Sequence, residues 1–176
     1  MRFGGPGSAM AKNLHLGLTH SGEVIRKEYS FAREPTGSAY RSLVDFGLAH
    51  SAFVSCVVRR DLGLGSRGQS VLRELEPSLV ERGVTRAWPG TELLGDTALL
   101  HTFSFDESVA GVLRRSVHGL YDWQQPELPE DLAFLRDTGP PLLTSISHEH
   151  DGFLTLSDDE RADLDALAPM LAEVLE

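Results

Sequence analysis

The 176-residue chain carries 16 Lys and Arg against 26 Asp and Glu, a formal net charge of -10, with 41% hydrophobic and 24% charged residues. This length fits a single domain, and the composition excludes both a disordered chain and a membrane protein. Because the first ten residues lack the apolar core of a secretory signal and the single cysteine, Cys56, has no internal disulfide partner, we expect a cytoplasmic protein.

The start of the chain predicts a lead segment followed by a β-hairpin. Residues 1–12 are rich in glycine, alanine and serine, which is typical of a flexible segment, so we place the single domain at residues 13–176. Hydrophobic and polar residues alternate over 13–18 and again over 23–31, with a His-Ser-Gly turn between the two stretches. This alternation predicts two antiparallel strands.

Helices and strands alternate through the middle of the sequence. Apolar residues recur at helical spacing after Ser38 and predict a helix that ends near His50. The uncharged, β-branched stretch 52–58 predicts a buried central strand. A glycine-rich segment then leads into a helix whose apolar residues continue to Leu79, and residues 98–105 predict the next strand.

The last part of the chain predicts further strands and one terminal helix. In chain order, the elements are a helix from Glu107 to about Leu120 capped by Asp106, a loop over 122–129, a hairpin of 132–135 with 142–147, a strand at 152–156 and a helix opened by the capping box Ser157–Glu160. The terminal helix carries an apolar stripe that we expect in the core, namely Leu164, Leu167, Met170, Leu171 and Val174. We therefore predict an α+β fold, with a mostly antiparallel sheet of about five to seven strands and three or four helices.

The segment Gly63–Gly68 matches G-x-G-x-x-G, a dinucleotide-binding motif. It lies between a predicted strand and a predicted helix, as the motif requires. The acidic residue that should end a second strand about 20 residues later is missing, and Arg86 stands in that region instead. We therefore expect a plain strand-to-helix connection and no cofactor.

The densest polar cluster is Ser147–Asp151, which contains His148 and His150. Residues two apart on a strand point to the same side, so these two imidazoles are candidates for a shared metal. A zinc site needs three or four protein ligands, and His101 on a preceding strand is the candidate for a third. We expect a solvated turn with no metal, and keep as an alternative a site of His101, His148 and His150 with Glu149 as a base.

Acidic residues concentrate at the end of the chain. Residues 122–176 hold 14 acidic and two basic side chains, whereas residues 1–121 hold 12 acidic and 14 basic ones. A surface of this kind repels nucleic-acid phosphates and anionic lipids and attracts basic proteins. The alternative is an acidic, solvated C-terminal helix that serves solubility only.

An aromatic, proline-containing segment at 121–131 begins this acidic part of the chain. Trp and Tyr side chains bury large areas when they bind a partner, so the segment suits an interface. The candidate partner-binding residues are Tyr121, Asp122, Trp123, Glu127, Glu130, Asp131, Asp158 and Asp159. The alternative is that Trp123 closes the core beneath this loop while the two prolines fix its path.

The stretch LYDWQQPELPEDL at 120–132, followed by SISHE at 145–149, resembles a group of small uncharacterised actinobacterial proteins. The resemblance implies a bacterial cytosolic origin and carries over no catalytic residue. In general character, the chain is also similar to bacterial toxin-immunity proteins, which is a likeness of type and not of motif.

These observations favour a non-catalytic binding protein of immunity or antitoxin type. We expect a basic protein partner bound through the acidic C-terminal third, and neither nucleic acid nor a membrane. Two other hypotheses stay open: a small metal-assisted hydrolase that uses the His148 and His150 cluster, and a structural assembly subunit that pairs through a sheet edge. The sequence leaves the oligomeric state undetermined.

Overall fold

A central antiparallel sheet organises the computed structural model, which describes residues 24–176. In chain order, the strands are β1 (Lys27–Ser30), β2 (Phe53–Arg59), β3 (Leu79–Thr85), β4 (Ala87–Trp88), β5 (Thr91–Glu92), β6 (Ala98–Ser104), β7 (Glu130–Leu135), β8 (Leu143–Ile146) and β9 (Asp151–Leu156). Among the described residues, seven strands form one sheet in the order β1-β9-β8-β7-β2-β6-β3, and β4 and β5 form a separate small hairpin. The predicted α+β class and mostly antiparallel sheet are confirmed.

The described part of the chain contains five α-helices, three between strands and two after β9. They are α1 (Gly37–His50), α2 (Ser66–Leu75), α3 (Glu107–Ser116), α4 (Asp158–Leu167) and α5 (Pro169–Ala172). Helix α1 packs against α3 and α5, and α2 packs against α3, so the helices form one connected layer. None of the helices within residues 24–176 is both long and apolar enough to span a membrane.

Strand β2 occupies the interior of the sheet, as its β-branched sequence predicts. It pairs with β6 on one side and β7 on the other, so that Phe53 lies opposite both Ser104 and Leu135. Val54 and Cys56 face the main core, while Val57 belongs to a second apolar cluster. Both faces of this strand are therefore covered, which explains its continuous apolar sequence.

Helix ends follow the predicted capping residues in two of three cases. The Asp106 carboxylate accepts a hydrogen bond from the Val109 amide at 2.9 Å and caps α3, and Ser157 with Glu160 forms the capping box of α4. Helix α1 begins after Thr36, whose side chain makes no cap hydrogen bond. Helix α3 ends at Ser116, earlier than expected, because Val117 turns into extended backbone.

The main core lies between the sheet and the helices and is centred on buried aromatic residues. The Trp123 indole N–H donates to the Tyr40 hydroxyl at 2.9 Å, and that hydroxyl donates to the Leu113 carbonyl at 3.2 Å. A second, smaller cluster joins Trp88 of the β4–β5 hairpin to Val57 of β2. The hairpin therefore covers part of the sheet away from the main core.

Two further element boundaries and one expected core residue differ from the prediction. Leu79, predicted in a helix, begins edge strand β3, because a 3-10 turn at Glu76–Ser78 ends the helical segment. The predicted terminal helix is two helices, since the chain breaks at Ala168 before Pro169. Leu167, the last residue of α4 and an expected core residue, is 78% exposed and lies outside the core.

The expectations for the start of the chain fall mainly outside the described residues. The flexible lead at 1–12 and the first strand of the hairpin at 13–18 belong to that part. The second predicted strand, at 23–31, corresponds to β1, which pairs with β9.

Candidate functional site

The structure divides the predicted partner-binding residues into two groups. Tyr121, Trp123, Glu130 and Asp131 are buried, whereas Asp122, Glu127, Asp158 and Asp159 are exposed. Trp123 therefore is not an exposed anchor; it packs in the main core, as the alternative interpretation of this residue holds. Each of the four buried residues is less than a tenth exposed, so they offer a protein partner little contact area.

The three histidines of the alternative metal site do not come together. His101 is buried on β6 and its ring stacks near Phe103, with the centroids 6.2 Å apart. His150 adopts left-handed backbone, with φ at 55°, and its ring lies 5.4 Å from the Tyr121 ring. Only His148 takes part in a group of potential metal ligands within residues 24–176.

That group consists of Glu130, Asp131 and His148, which we call the acid–histidine cluster. One ligand atom from each side chain lies within 4.8 Å of those of the other two. The proximity follows from the sheet, because β7 and β8 are antiparallel neighbours, so the first residues of β7 lie beside the end of β8. His148 follows β8 directly, in the 3-10 turn Ser147–Glu149.

Two hydrogen bonds fix the Asp131 carboxylate. The Trp88 indole N–H donates to Oδ2 at 2.7 Å, and the Ser147 amide donates to Oδ1 at 2.9 Å. Asp131 also adopts left-handed backbone, with φ at 56°, which is uncommon for a residue other than glycine. The β4–β5 hairpin and the turn after β8 thus hold this side chain from two directions.

The Glu130 side chain is buried without a full set of partners. The residue is 2% exposed, and its Oε2 atom has no hydrogen-bond partner among the described residues. Burial raises the pKa of Glu130, and the neighbouring Asp131 raises it further, while Arg59 and His148 act in the opposite direction. The Arg59 guanidinium pairs at 2.7 Å with Asp61, so its charge is shared with another carboxylate.

A cavity of about 310 Å³ opens beside the acid–histidine cluster. Its lining includes Arg59, Trp88, Glu92, Glu130, His148 and Glu149. The His148 ring lies 3.7 Å from the Glu149 carboxylate, measured from Nε2 to Oε1. A ligand in this cavity would meet carboxylates, an imidazole and one guanidinium.

A second candidate site lies on α4. Its exposed carboxylates Asp158, Asp159, Asp163 and Asp165, together with the exposed Leu167 and with Met170 of α5, form what we call the acidic helix face. Leu167 is 78% exposed and Met170 is 46% exposed, although both were predicted to be core residues. Large apolar side chains surrounded by charge are typical of protein contact surfaces.

A narrow cleft between α1 and the end of α4 continues this face. It has a volume of about 140 Å³, and Phe46, Ala49, Leu167 and Ala168 supply apolar side chains to its lining. The Asp45 carboxylate lines the same cleft. On the α4 side, the Asp163 carboxylate lies 3.8 Å from the His50 ring. The cleft is therefore apolar inside and acidic at its edges.

No protein family model, curated protein or solved structure matches this chain. The two candidate sites are therefore supported by their geometry alone. Arg59, Trp88 and the exposed state of Leu167 were not singled out from the sequence, although Pro169 was a visible signal that the terminal helix breaks.

Proposed function

We propose that this protein is a non-catalytic binding protein that engages a basic protein partner through the acidic helix face. The observation that carries the proposal is the exposure of Leu167 beside an apolar cleft and among carboxylates. A leucine in this setting leaves apolar area in contact with water, which a partner would remove on binding. The surrounding charges then select the kind of partner.

The charge of α4 favours a basic partner. The helix sequence contains five acidic residues and a single basic one, Arg161. Arg161 lies within 2.9 Å of Asp165, and Lys27 of β1 lies 3.0 Å from Asp158, so two carboxylates are paired within the protein. Asp159 belongs to neither pair, and Asp163 is exposed and lies 3.8 Å from the His50 ring, so both can steer a positively charged partner toward this face.

The shape of the site indicates the partner chemistry in more detail. An apolar side chain from the partner would enter the cleft between Phe46 and Leu167, and a flanking Lys or Arg would meet Asp163. Asp45, at the other edge, already pairs with Arg114 within the protein. A basic amphipathic segment presents this arrangement. Inhibition of a basic toxin, as in immunity and antitoxin proteins, is the setting that we propose for such a contact.

The test compares variants of this face with matched controls on the opposite edge of the sheet. Leu167→Ser removes the apolar contact and Asp163→Lys reverses a charge at the cleft. Val84→Ser and Glu81→Lys make the same kinds of change on β3, where both side chains are exposed. β3 lies at the far edge of the sheet from β1 and β9, and α4 packs against β9.

We expect the wild type and both controls to capture the same basic protein from the cells that produce this chain. Leu167→Ser should raise the dissociation rate by about tenfold or more, as the loss of an interface anchor does. Asp163→Lys should slow association, and rising salt should slow association of the wild type by screening. The proposal fails if the captured protein binds all four variants equally, or if its association is insensitive to salt.

A further inference from the structure

We propose that Glu130, Asp131 and His148 together bind one divalent transition-metal ion. The inference is independent of the partner-binding proposal, because it concerns a different cluster at the start of β7 and the end of β8. It differs also from the alternative site predicted from the sequence, which shares only His148 with it.

The donor atoms of the three side chains are close enough to coordinate one shared ion. One carboxylate oxygen from each acid and one imidazole nitrogen lie within 4.8 Å of one another. A metal ion at about 2.0–2.2 Å from each ligand sets its ligands at most roughly 4 Å apart, so small side-chain adjustments bring the three onto one ion. All three residues lie at one end of the sheet, at the start of β7 and just after β8.

The unpartnered oxygen of Glu130 points to a missing positive charge. Oε2 is buried and accepts no hydrogen bond from the described residues, and the carboxylate of Asp131 lies beside it. Burying two adjacent carboxylates is unfavourable unless a cation or hydrogen-bond donors compensate them. The Arg59 guanidinium acts on Glu130, but it forms its ion pair with Asp61. A bound cation would supply the compensation that Glu130 lacks.

Asp131 has the support that a metal ligand needs. The Trp88 indole and the Ser147 amide each occupy one carboxylate oxygen, and each oxygen retains a second lone pair for coordination. Hydrogen bonds of this kind orient the ligands of metal sites and contribute strongly to affinity. The rare backbone conformation at Asp131 is thus held in place on both sides of its carboxylate.

The donor set selects the class of metal. Imidazole nitrogen favours zinc and other first-row transition metals, while carboxylates also accept manganese. Calcium and magnesium prefer sites built from oxygen alone, and calcium takes six to eight ligands. Three protein ligands leave at least one coordination position open toward the cavity of about 310 Å³, where Glu149 lies close to His148.

The experiment uses the full chain without a histidine tag, stripped of metal by a chelator. Calorimetric titration with Zn²⁺ and with Mn²⁺ should show one saturable site per chain, and both ions should bind more tightly than Ca²⁺ or Mg²⁺. Glu130→Gln and His148→Gln should each weaken binding by about tenfold or more, and Trp88→Phe by about 10- to 100-fold through the loss of its hydrogen bond to Asp131. Bound Mn²⁺ should also quench the fluorescence of Trp88.

His150→Gln is the matched control, since His150 is exposed and lies two residues from His148 but outside the cluster. It should bind metal like the wild type. His148 is also exposed, so its replacement should leave the fold intact, which the circular dichroism spectrum and melting temperature check. The proposal is overturned if no saturable 1:1 binding of Zn²⁺ or Mn²⁺ occurs, if Ca²⁺ or Mg²⁺ binds more tightly, or if His148→Gln and His150→Gln behave alike.

Discussion

Two leucines three residues apart on α4 should respond very differently to the same substitution. Leu164 is 0% exposed, whereas Leu167 is 78% exposed. Replacing a buried leucine by alanine loses its transfer free energy and leaves a cavity, for a total of about 3–5 kcal/mol. A fully buried leucine contributes about 2 kcal/mol by transfer alone, so the buried fifth of Leu167 is worth about 0.4 kcal/mol. Leu164→Ala should therefore destabilise the protein by several-fold more than Leu167→Ala.

Urea and thermal denaturation of the two variants check this difference. For a chain of this size, each kcal/mol lowers the melting temperature by about 2–4 °C, so Leu164→Ala should lower it by roughly 6–20 °C. Leu167→Ala should lower it by no more than about 2 °C. The reasoning is refuted if Leu167→Ala melts as low as Leu164→Ala, because the exposed leucine would then belong to the core and could not serve the proposed interface.

Three further predictions concern buried groups. Glu130→Gln should stabilise the chelator-treated protein relative to wild type, and the difference should grow as pH rises from about 4.5. Folding raises the pKa of the Glu130 carboxyl, so its contribution to wild-type stability is fully present below the unfolded-state pKa and is lost as pH rises through the folded-state pKa. Equal pH dependence of unfolding in the two proteins would contradict this. Burial raises the pKa of Cys56 to about 12, so its thiol should react with a disulfide reagent only after denaturation; rapid reaction in the native state would show otherwise. Gly47→Ala should destabilise by about 1–3 kcal/mol in urea titrations, because its Cβ would overlap the buried Phe134 ring, and an unchanged midpoint would mean that the ring can move.

The fold could be predicted from the sequence wherever local pattern and tertiary environment agree. The apolar stretch of β2, the Asp106 cap of α3 and the Ser157–Glu160 capping box are all present as expected. Strand β3 was missed because it is an edge strand whose sequence, LVERGVT, contains charges and a glycine and leaves most residues exposed. Local hydrophobicity does not reveal such a strand, since its pairing with β6 supplies the stabilisation.

Helical periodicity also explains the error at the end of the chain. Leu164 and Leu167 are three residues apart within α4, whereas Leu171 would share their face only if a single regular helix continued through Pro169. A proline inside a helix removes a hydrogen bond and clashes with the preceding turn, and here the chain leaves the helix at Ala168. Leu171 lies in the core after the break, whereas Leu167, the last residue of α4, lies at the surface. The proline, weighed more heavily, would have predicted this break.

Only part of the acid–histidine cluster could be predicted from the sequence. The predicted hairpin of 132–135 with 142–147 already places Glu130 and Asp131 at the same end of the sheet as His148, because antiparallel neighbours bring the start of one strand to the end of the other. The sequence does not reveal the path of the β4–β5 hairpin. Its Trp88 bonds to Asp131, which is 43 residues away along the chain. Contacts of this range depend on tertiary packing.

The acidic residues in the last third of the chain differ in burial, which their number alone does not reveal. Most of the 14 are exposed and contribute to a field that attracts a basic partner, but Glu130, Asp131 and Glu160 are not. Glu160 is compensated by Arg136 at 2.8 Å and by its place in the capping box, and Asp131 by two hydrogen bonds. Glu130 keeps an oxygen without a partner among the described residues. A role in solubility accounts for the exposed carboxylates but not for the burial of Glu130. A bound cation would compensate the charge of that buried carboxylate.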